Sequence, residues 1–282
     1  MALLFNSSLF NTSTFNGATA SAIISTDSIA YGGLGLQNSN IIVSNIMEEA
    51  SMPARKLSTV DNPAGDGSLI RDDRMPKKRI TITGSISAAT TAALDTLIDN
   101  FKQKLSIASQ QLKITLLGGD VRYYTANLTN GNSIIQREHH HITFVEFSLV
   151  FECYEPFAKD LSQIVESAYG KTADYNYSIT NDGTANAKPI FILTVNSETS
   201  LTTINFKNTT TSEEIEVEKS GGYTAGDILE INAEDKIVKI NGTEVDFDGF
   251  FWNLKAGLNT ITVDLDGAFD FNLTTKYYLN YL

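Results

Sequence analysis

The stretch Gly226–Ile261, GDILEINAEDKIVKINGTEVDFDGFFWNLKAGLNTI, decides how the rest of this chain is read. Apolar and polar residues alternate through Ile228–Asn232 and Lys236–Ile240, the period of a half-buried strand. Asn241-Gly242 and Asp248-Gly249 supply tight turns, because Asn, Asp and Gly tolerate the left-handed backbone such turns need. Gly257-Leu258-Asn259 then leads into another strand. The run is a series of short antiparallel strands with no catalytic constellation in it. It points to a protein whose work is to make surfaces.

The same texture extends both ways. Strands are expected at Tyr175–Thr180, Ile190–Asn196, Thr203–Lys207, Glu214–Val217, Phe250–Leu254, Asn259–Leu265 and Phe269–Tyr278. Regular strands with turn signals at this density predict a β-sandwich over residues 172–282. Ala158–Tyr169 reads as a short helix or linker, which places a domain boundary near 160–172. Before it lies a first module, 1–160, built from strands and one helix. Ile41–Met47 is a short apolar strand, and Arg79–Ile86 alternates with Ile80, Ile82, Gly84 and Ile86 on one face. Leu94, Leu97, Ile98, Phe101 and Leu105 form an apolar stripe at helical spacing, so Ala88–Leu105 is a helix with Ser87 as N-cap. Strands follow at Leu112–Leu117, Val121–Leu128, Ser133–Gln136 and Ile142–Tyr154, with turns at Gly118-Gly119-Asp120 and Asn130-Gly131-Asn132. In the last strand Thr143, Val145, Phe147, Leu149, Phe151 and Cys153 share the core face.

Two segments of the first module lack any period. Residues 1–28 are rich in Ser, Thr, Asn and Ala, and Phe5, Phe10 and Phe15 recur every five residues, a spacing of neither helix nor strand. This reads either as an extended arm that docks on something or as a frayed terminus. Residues 48–78 carry Pro53, Pro63, Gly65, Gly67 and Pro76 with charges at Arg55-Lys56, Arg71-Asp72-Asp73-Arg74 and Lys77-Lys78-Arg79. A loop of this length is functional or ordered by a partner, with a solvated loop as the plain alternative. The interface candidates are therefore Phe5, Phe10, Phe15, Arg55, Lys56, Arg71, Arg74, Lys77 and Lys78.

The 282 residues carry a formal net charge of -12, unevenly spread. Up to Asp160 there are 13 Lys and Arg against 15 acids; beyond it there are 8 Lys, no Arg and 18 acids, so the two parts net -2 and -10. Such asymmetry suggests modules in different surroundings. An acidic chain is a poor gripper of phosphate backbones, although nucleic acid could slide past it without sticking. The single cysteine, Cys153, allows no internal disulfide and fits folding in a reducing cytosol. MALLFNSSLF does not read as a signal peptide, and no segment has the length of a transmembrane helix.

Candidate chemistry is thin. His139-His140-His141 are consecutive, and alternate strand residues point to opposite faces, so His139 and His141 could share a metal only with help from other subunits. Cys153 should point inward and be inert. Asp246-Phe247-Asp248-Gly249 and Asp264-Leu265-Asp266-Gly267 resemble the opening of a calcium loop but lack its closing glutamate; Asp-Gly turns explain both. Phe250 and Trp252 would share one strand face, either as core or as a sugar-stacking platform. No phosphate loop or acid/base pair is present, and no cofactor is implied.

The chain as a whole resembles the distal tail proteins of long-tailed, siphovirus-type bacteriophages. In the first module the resemblance is carried by Arg79-Ile80-Thr81-Ile82-Thr83-Gly84, the helix, Leu112–Leu117, Arg122-Tyr123-Tyr124, and Phe147-x-Leu149-x-Phe151-x-Cys153 running into Pro156-Phe157. In the second it is carried by Asn181-x-Gly183-x-Ala185-x-Ala187-x-Pro189-x-Phe191, Gly226-Asp227, Asn241-Gly242 and Leu254-x-x-Gly257-x-Asn259. The resemblance implies a mainly β fold: a sandwich- or barrel-like, tail-tube-like belt domain with one helix, then a galectin-like antiparallel β-sandwich. It also implies a non-enzymatic homohexamer, as one ring or two stacked rings, in the tail tip of a virion assembled in a bacterial cytoplasm. Its expected partners are the tail-tube protein, the tail-tip hub protein and receptor-binding proteins, with DNA as passing cargo and no membrane insertion. The alternatives from the sequence are a glycan-binding protein using the C-terminal sandwich, a glycan hydrolase and a major tail-tube subunit.

Overall fold

In the computed structural model, the described residues are 28–47, 55–61, 66, 68–116, 118–129, 134–136, 143–172 and 174–282. The chain divides into two units, Met1–Ala158 and Lys159–Leu282. His139, His141, Phe5, Phe10, Phe15 and the Asn130-Gly131-Asn132 turn lie outside the described residues.

The first unit runs β1 (Ile29–Tyr31), β2 (Leu34–Gly35), β3 (Ile41–Met47), β4 (Lys56–Asp61), β5 (Ser68–Arg74), β6 (Lys78–Ser87), α1 (Thr91–Leu105), β7 (Gln110–Thr115), β8 (Val121–Leu128), β9 (Ile134–Gln136) and β10 (Phe144–Cys153). Its main sheet is antiparallel in the order β2-β1-β7-β8-β10-β6-β3, with β9 also on β10. The long pair β6–β10 is its spine, from Phe144 opposite Ser87 to Cys153 opposite Lys78. Alternation decides the faces: Ile80, Ile82, Gly84 and Ile86 are buried, as are Val145, Phe147, Leu149, Phe151 and Cys153. The helix lays Leu94, Ile98, Phe101 and Leu105 inward, and Phe101 meets Phe147 at 5.2 Å between ring centres. Thr90, three residues after the expected Ser87, is the N-cap and accepts from Ala93 N–H at 3.2 Å. Ser87 is still sheet, its N–H donating to Asn40 O at 2.8 Å.

The sheet curls. Tyr31 on β1 packs at a tilt against Phe151 of β10, 4.9 Å between ring centres, although three strand steps, about 14 Å in a flat sheet, separate them along the order. The Tyr31 hydroxyl donates to Ile107 O at 2.8 Å and Ala126 O at 3.3 Å, tying the folded-over edge down. This is the barrel-like character expected of the module.

One expectation fails here. Residues 56–74 are not without structure: β4 and β5 form an antiparallel hairpin, Lys56 opposite Arg74 and Asp61 opposite Ser68. Arg71 of β5 is left over as a bulge opposite Ser58 and Thr59, and every residue of β4 is exposed, so no buried face imposes an alternation on that strand.

The second unit runs β11 (Ala158–Lys171), β12 (Tyr175–Asn181), β13 (Ile190–Thr199), β14 (Thr203–Asn208), β15 (Glu213–Glu218), β16 (Ile228–Asn232), β17 (Ile237–Ile240), β18 (Thr243–Glu244), β19 (Asp248–Gly249), β20 (Gly257–Leu265) and β21 (Ala268–Tyr281). One sheet has the order β18-β17-β16-β13-β21-β11 and the other β12-β20-β14-β15-β19. Their inner faces share one core. Phe191 of β13 meets Phe206 of β14 at 5.1 Å and Trp252 at 5.1 Å, and Leu229, Ile231, Ile215, Ile261 and Phe271 complete it. This is a mainly β, antiparallel sandwich.

Two local expectations are corrected. Ala158–Tyr169 is a strand, not a helix or linker. Its apolar residues Leu161, Ile164, Val165 and Ala168 mimic helical spacing because both strand faces carry them. Ile164 packs on the core while Leu161, Val165 and Tyr169 are exposed. Phe250–Leu254 is not a regular strand: Leu254 makes a single bridge to Ala187, Trp252 is buried, and Phe250 is 75% exposed.

Candidate interaction surfaces

The polar signature of the second unit holds its own loops. Asn181 Nδ2 donates to Ala185 O at 2.9 Å and Leu254 O at 3.1 Å, while its Oδ1 accepts from Gly183 N–H at 3.0 Å. Asn259 accepts from Lys255 N–H and donates to Lys255 O and Gly257 O. Asn208 accepts from Thr210 N–H at 3.0 Å. These amides are buried, and each fills backbone groups that a loop leaves unpaired. A Cβ on Gly183 would stand 2.4 Å from Asn280 O, so only glycine lets these segments touch.

Asp227 is the densest node. It is 6% exposed. Its Oδ2 accepts from the Lys219 ammonium, from Thr224 N–H at 2.6 Å and from the Thr224 hydroxyl at 3.1 Å. Its Oδ1 accepts from Asn241 Nδ2 at 2.7 Å, and Asn241 Oδ1 in turn accepts from Ile228 N–H at 2.9 Å. Burial alone would raise the carboxyl; these donors outweigh it and hold Asp227 down to about 2. Asn241 and Gly242 both have positive φ, as the tight turn between β17 and β18 requires.

The predicted chemistry resolves into structure. Cys153 is buried, and desolvation pushes its thiol up to about 12 despite nearby Lys78. Trp252 is buried in the core, so it offers no platform for a sugar. Asp266 accepts from Thr202 N–H at 2.9 Å and Thr203 N–H at 3.0 Å and holds two segments together. Asp248 accepts from Gly249 N–H at 2.9 Å. Among the described residues no group of three His, Cys, Asp or Glu is arranged to hold a metal ion.

The charged candidates of the first unit separate. Arg55, Lys56 and Arg74 are exposed at the base of the β4–β5 hairpin, and Arg71 lies on β5. Lys77 is exposed and pairs with Glu152 at 2.6 Å. Lys78 is buried, with its ammonium 3.4 Å from the Tyr124 hydroxyl and 5.3 Å above that ring, so it offers no surface charge. The hairpin strands pair with each other and with no other strand among the described residues. Every residue from Lys56 to Asp61 is exposed, including Leu57 at 53% and Val60 at 47%. At the far side, β3 ends the sheet with Ile42 and Met47 exposed.

The residues that clamp the second unit fall almost wholly within a stretch, 182–281, that matches the family model for the siphovirus-type tail component, C-terminal domain. The match takes in most of the C-terminal unit. Across the whole chain, the Dit protein (gp 19.1) of phage SPP1, described as a paradigm of the hub adsorption apparatus in phages infecting Gram-positive bacteria, has the same fold. The similarity covers 90% of this chain and 99% of that one, with a TM-score of 0.68 at 14% identity. Two structures of the phage p2 baseplate in its activated conformation are more distant. The calcium form has 7% identity, coverage of 86% and 92%, and a TM-score of 0.41; the strontium form has 8%, 85% and 92%, and 0.40. No curated protein matches the sequence.

Family and fold together make this chain a structural component of a siphovirus-type tail. The tail-component signature is thereby given a physical meaning. Gly183, Ala185, Ala187, Asp227, Asn241, Gly257 and Asn259 fix loops and turns of a sandwich. Sequence reading missed the hairpin and the exposure of Phe250, because both depend on departures from strand regularity.

Proposed function

We propose that the chain closes into a sixfold ring, single or as two stacked rings, that joins the tail tube to the tip. The N-terminal unit forms the belt, DNA passes through its hole, and the C-terminal sandwich stands outward as a platform for receptor-binding proteins. One observation carries this reading. Strand β4 is exposed along its whole length, bears Leu57 and Val60 to solvent, and the β4–β5 hairpin pairs with no other strand among the described residues. An isolated two-stranded hairpin is marginal in water, so it gains stability only against a partner. The end strand β3 offers a second, different surface on the same unit, and two unlike surfaces are what head-to-tail ring closure requires. The part up to Asp160 nets only -2, so a hole formed by the belt would not grip the phosphate backbone.

Replacing residues 56–74 by a short Gly-Ser linker tests this. Mass photometry should show the ring replaced by monomer, while near-UV circular dichroism keeps its folded signal. Ring assembly at wild-type concentration in the variant would remove the hairpin from the interface. The same comparison applied to a chain lacking residues 1–28 tests the arm.

A further inference from the structure

The second unit carries an exposed aromatic loop in an acidic frame that its own fold does not use. The loop Val245–Phe251 reads VDFDGFF. Phe250 is 75% exposed and Phe247 is 38% exposed. The loop is nonetheless held firmly. Phe250 N–H donates to Glu214 O at 2.9 Å, and Val245 N–H donates to Val238 O at 3.0 Å. Gly249, at φ +103, lies so close to β15 that a Cβ would stand 2.2 Å from Glu214 O. Phe251 packs edge-on against Phe247 at 4.9 Å, and the next residue, Trp252, is locked into the core against Phe191. A large aromatic side chain is thus presented to water from a backbone with little freedom to retract it.

The surrounding charge is also costly within the unit. Asp248 sits directly opposite Glu216 across the β15–β19 pair, and both are exposed. Like charges in that position oppose strand pairing. Asp246, Glu213, Glu214 and Glu218 are exposed around the same edge, and Lys207 reaches only Glu214, at 3.7 Å. A preorganised aromatic ringed by an excess of carboxylates has the form of an interface anchor with a charged rim.

We infer that Phe250 is the anchor of a docking surface for another protein that has an apolar socket rimmed by Lys and Arg. This rests on the reading of the C-terminal unit as a platform and assigns the part of the platform that binds. Charge complementarity selects the occupant: a second copy of this acidic unit would bring repulsion, and a neutral sugar would gain nothing from the carboxylate rim.

The test uses the full chain with Phe250→Ser and, separately, Glu216→Lys. Each variant is measured by biolayer interferometry against the purified products of the genes flanking this one, at low and high salt. One product should bind the wild type, lose about 30-fold in affinity for Phe250→Ser, the cost of one hot-spot aromatic, and weaken with salt. Glu216→Lys should lose about tenfold through the rim yet melt slightly higher, because it turns a like-charge pair with Asp248 into an opposite one. Mass photometry of both variants should match wild type. A partner that binds Phe250→Ser as tightly as wild type, or no partner among those products while rings form, overturns the inference and leaves the ring reading standing. A changed oligomeric state in Phe250→Ser would make the occupant a second copy. Loss of glycan-array binding in that variant would make it a sugar. Either result overturns it. Absence of rings in the wild type counts against the platform reading itself.

Discussion

Replacing Asp227 by alanine is expected to lower the stability of the C-terminal unit by about 3 kcal/mol, the scale of removing one partner from a buried, hydrogen-bonded charge pair. Four donors converge on this carboxylate, from Lys219, Asn241 and Thr224 through both its N–H and its hydroxyl. Alanine would leave Thr224 N–H and the Asn241 amide without an acceptor and release the turn between β17 and β18. The same group makes stability depend on pH in one direction. Its folded value of about 2 lies below the ordinary 3.8, so the folded state favours the ionised form. That stabilisation is fully present above about pH 5 and is lost as pH falls toward 2, amounting to roughly 2 kcal/mol. Asp227→Ala should flatten this part of the acid profile. The readout is direct, because the chain has one tryptophan and Trp252 is buried in this unit's core. Urea melts followed by Trp252 emission at pH 7 and pH 3 check both statements. Equal midpoints for wild type and variant at pH 7 would contradict the role given to Asp227.

Gly84→Ala should be as damaging in the N-terminal unit. Gly84 sits mid-strand in β6, paired with Phe147 on one side and Val43 on the other. An added Cβ would stand 2.4 Å from Ile42 O and 2.6 Å from the Phe147 ring. One neighbour is backbone of β3 and the other a core ring that also packs on Phe101, so neither gives way cheaply. Overpacking of this kind costs about 3 kcal/mol, or roughly 10 °C in the melting of a unit this size. Since β3 is the displaced element, ring formation should fall together with stability. Differential scanning calorimetry with mass photometry checks this. A variant that melts and assembles like wild type would show that β3 moves freely over Gly84.

Much of the fold was legible from local pattern. Arg79–Ile86, Val121–Leu128, Phe144–Cys153 and Ile228–Asn232 alternate because one face is buried, and the observed faces follow that alternation. The helix stripe was equally plain, although the cap lies at Thr90. The misses have physical causes. Strand β4 buries no residue, so no alternation marks it, and Arg71 bulges from β5. β11 carries apolar residues on both faces, which imitates a helix. Trp252 and Phe250 part company because the backbone between Gly249 and Leu254 is held by the β15 contact and by one bridge to Ala187. The candidate surfaces were only partly legible: clustered charges marked the hairpin, but nothing local separated exposed Lys77 from buried Lys78, whose side chain turns toward Tyr124.

The central claim is closure around a hole, and cryo-electron microscopy of the purified full chain tests it most directly. The account predicts particles with sixfold symmetry, one ring or two stacked, an open pore, and β4–β5 of each protomer lying against its neighbour. Particles that stay monomeric alone and in the presence of the tail-tube protein, or that grow as open filaments without a closed ring, would contradict it.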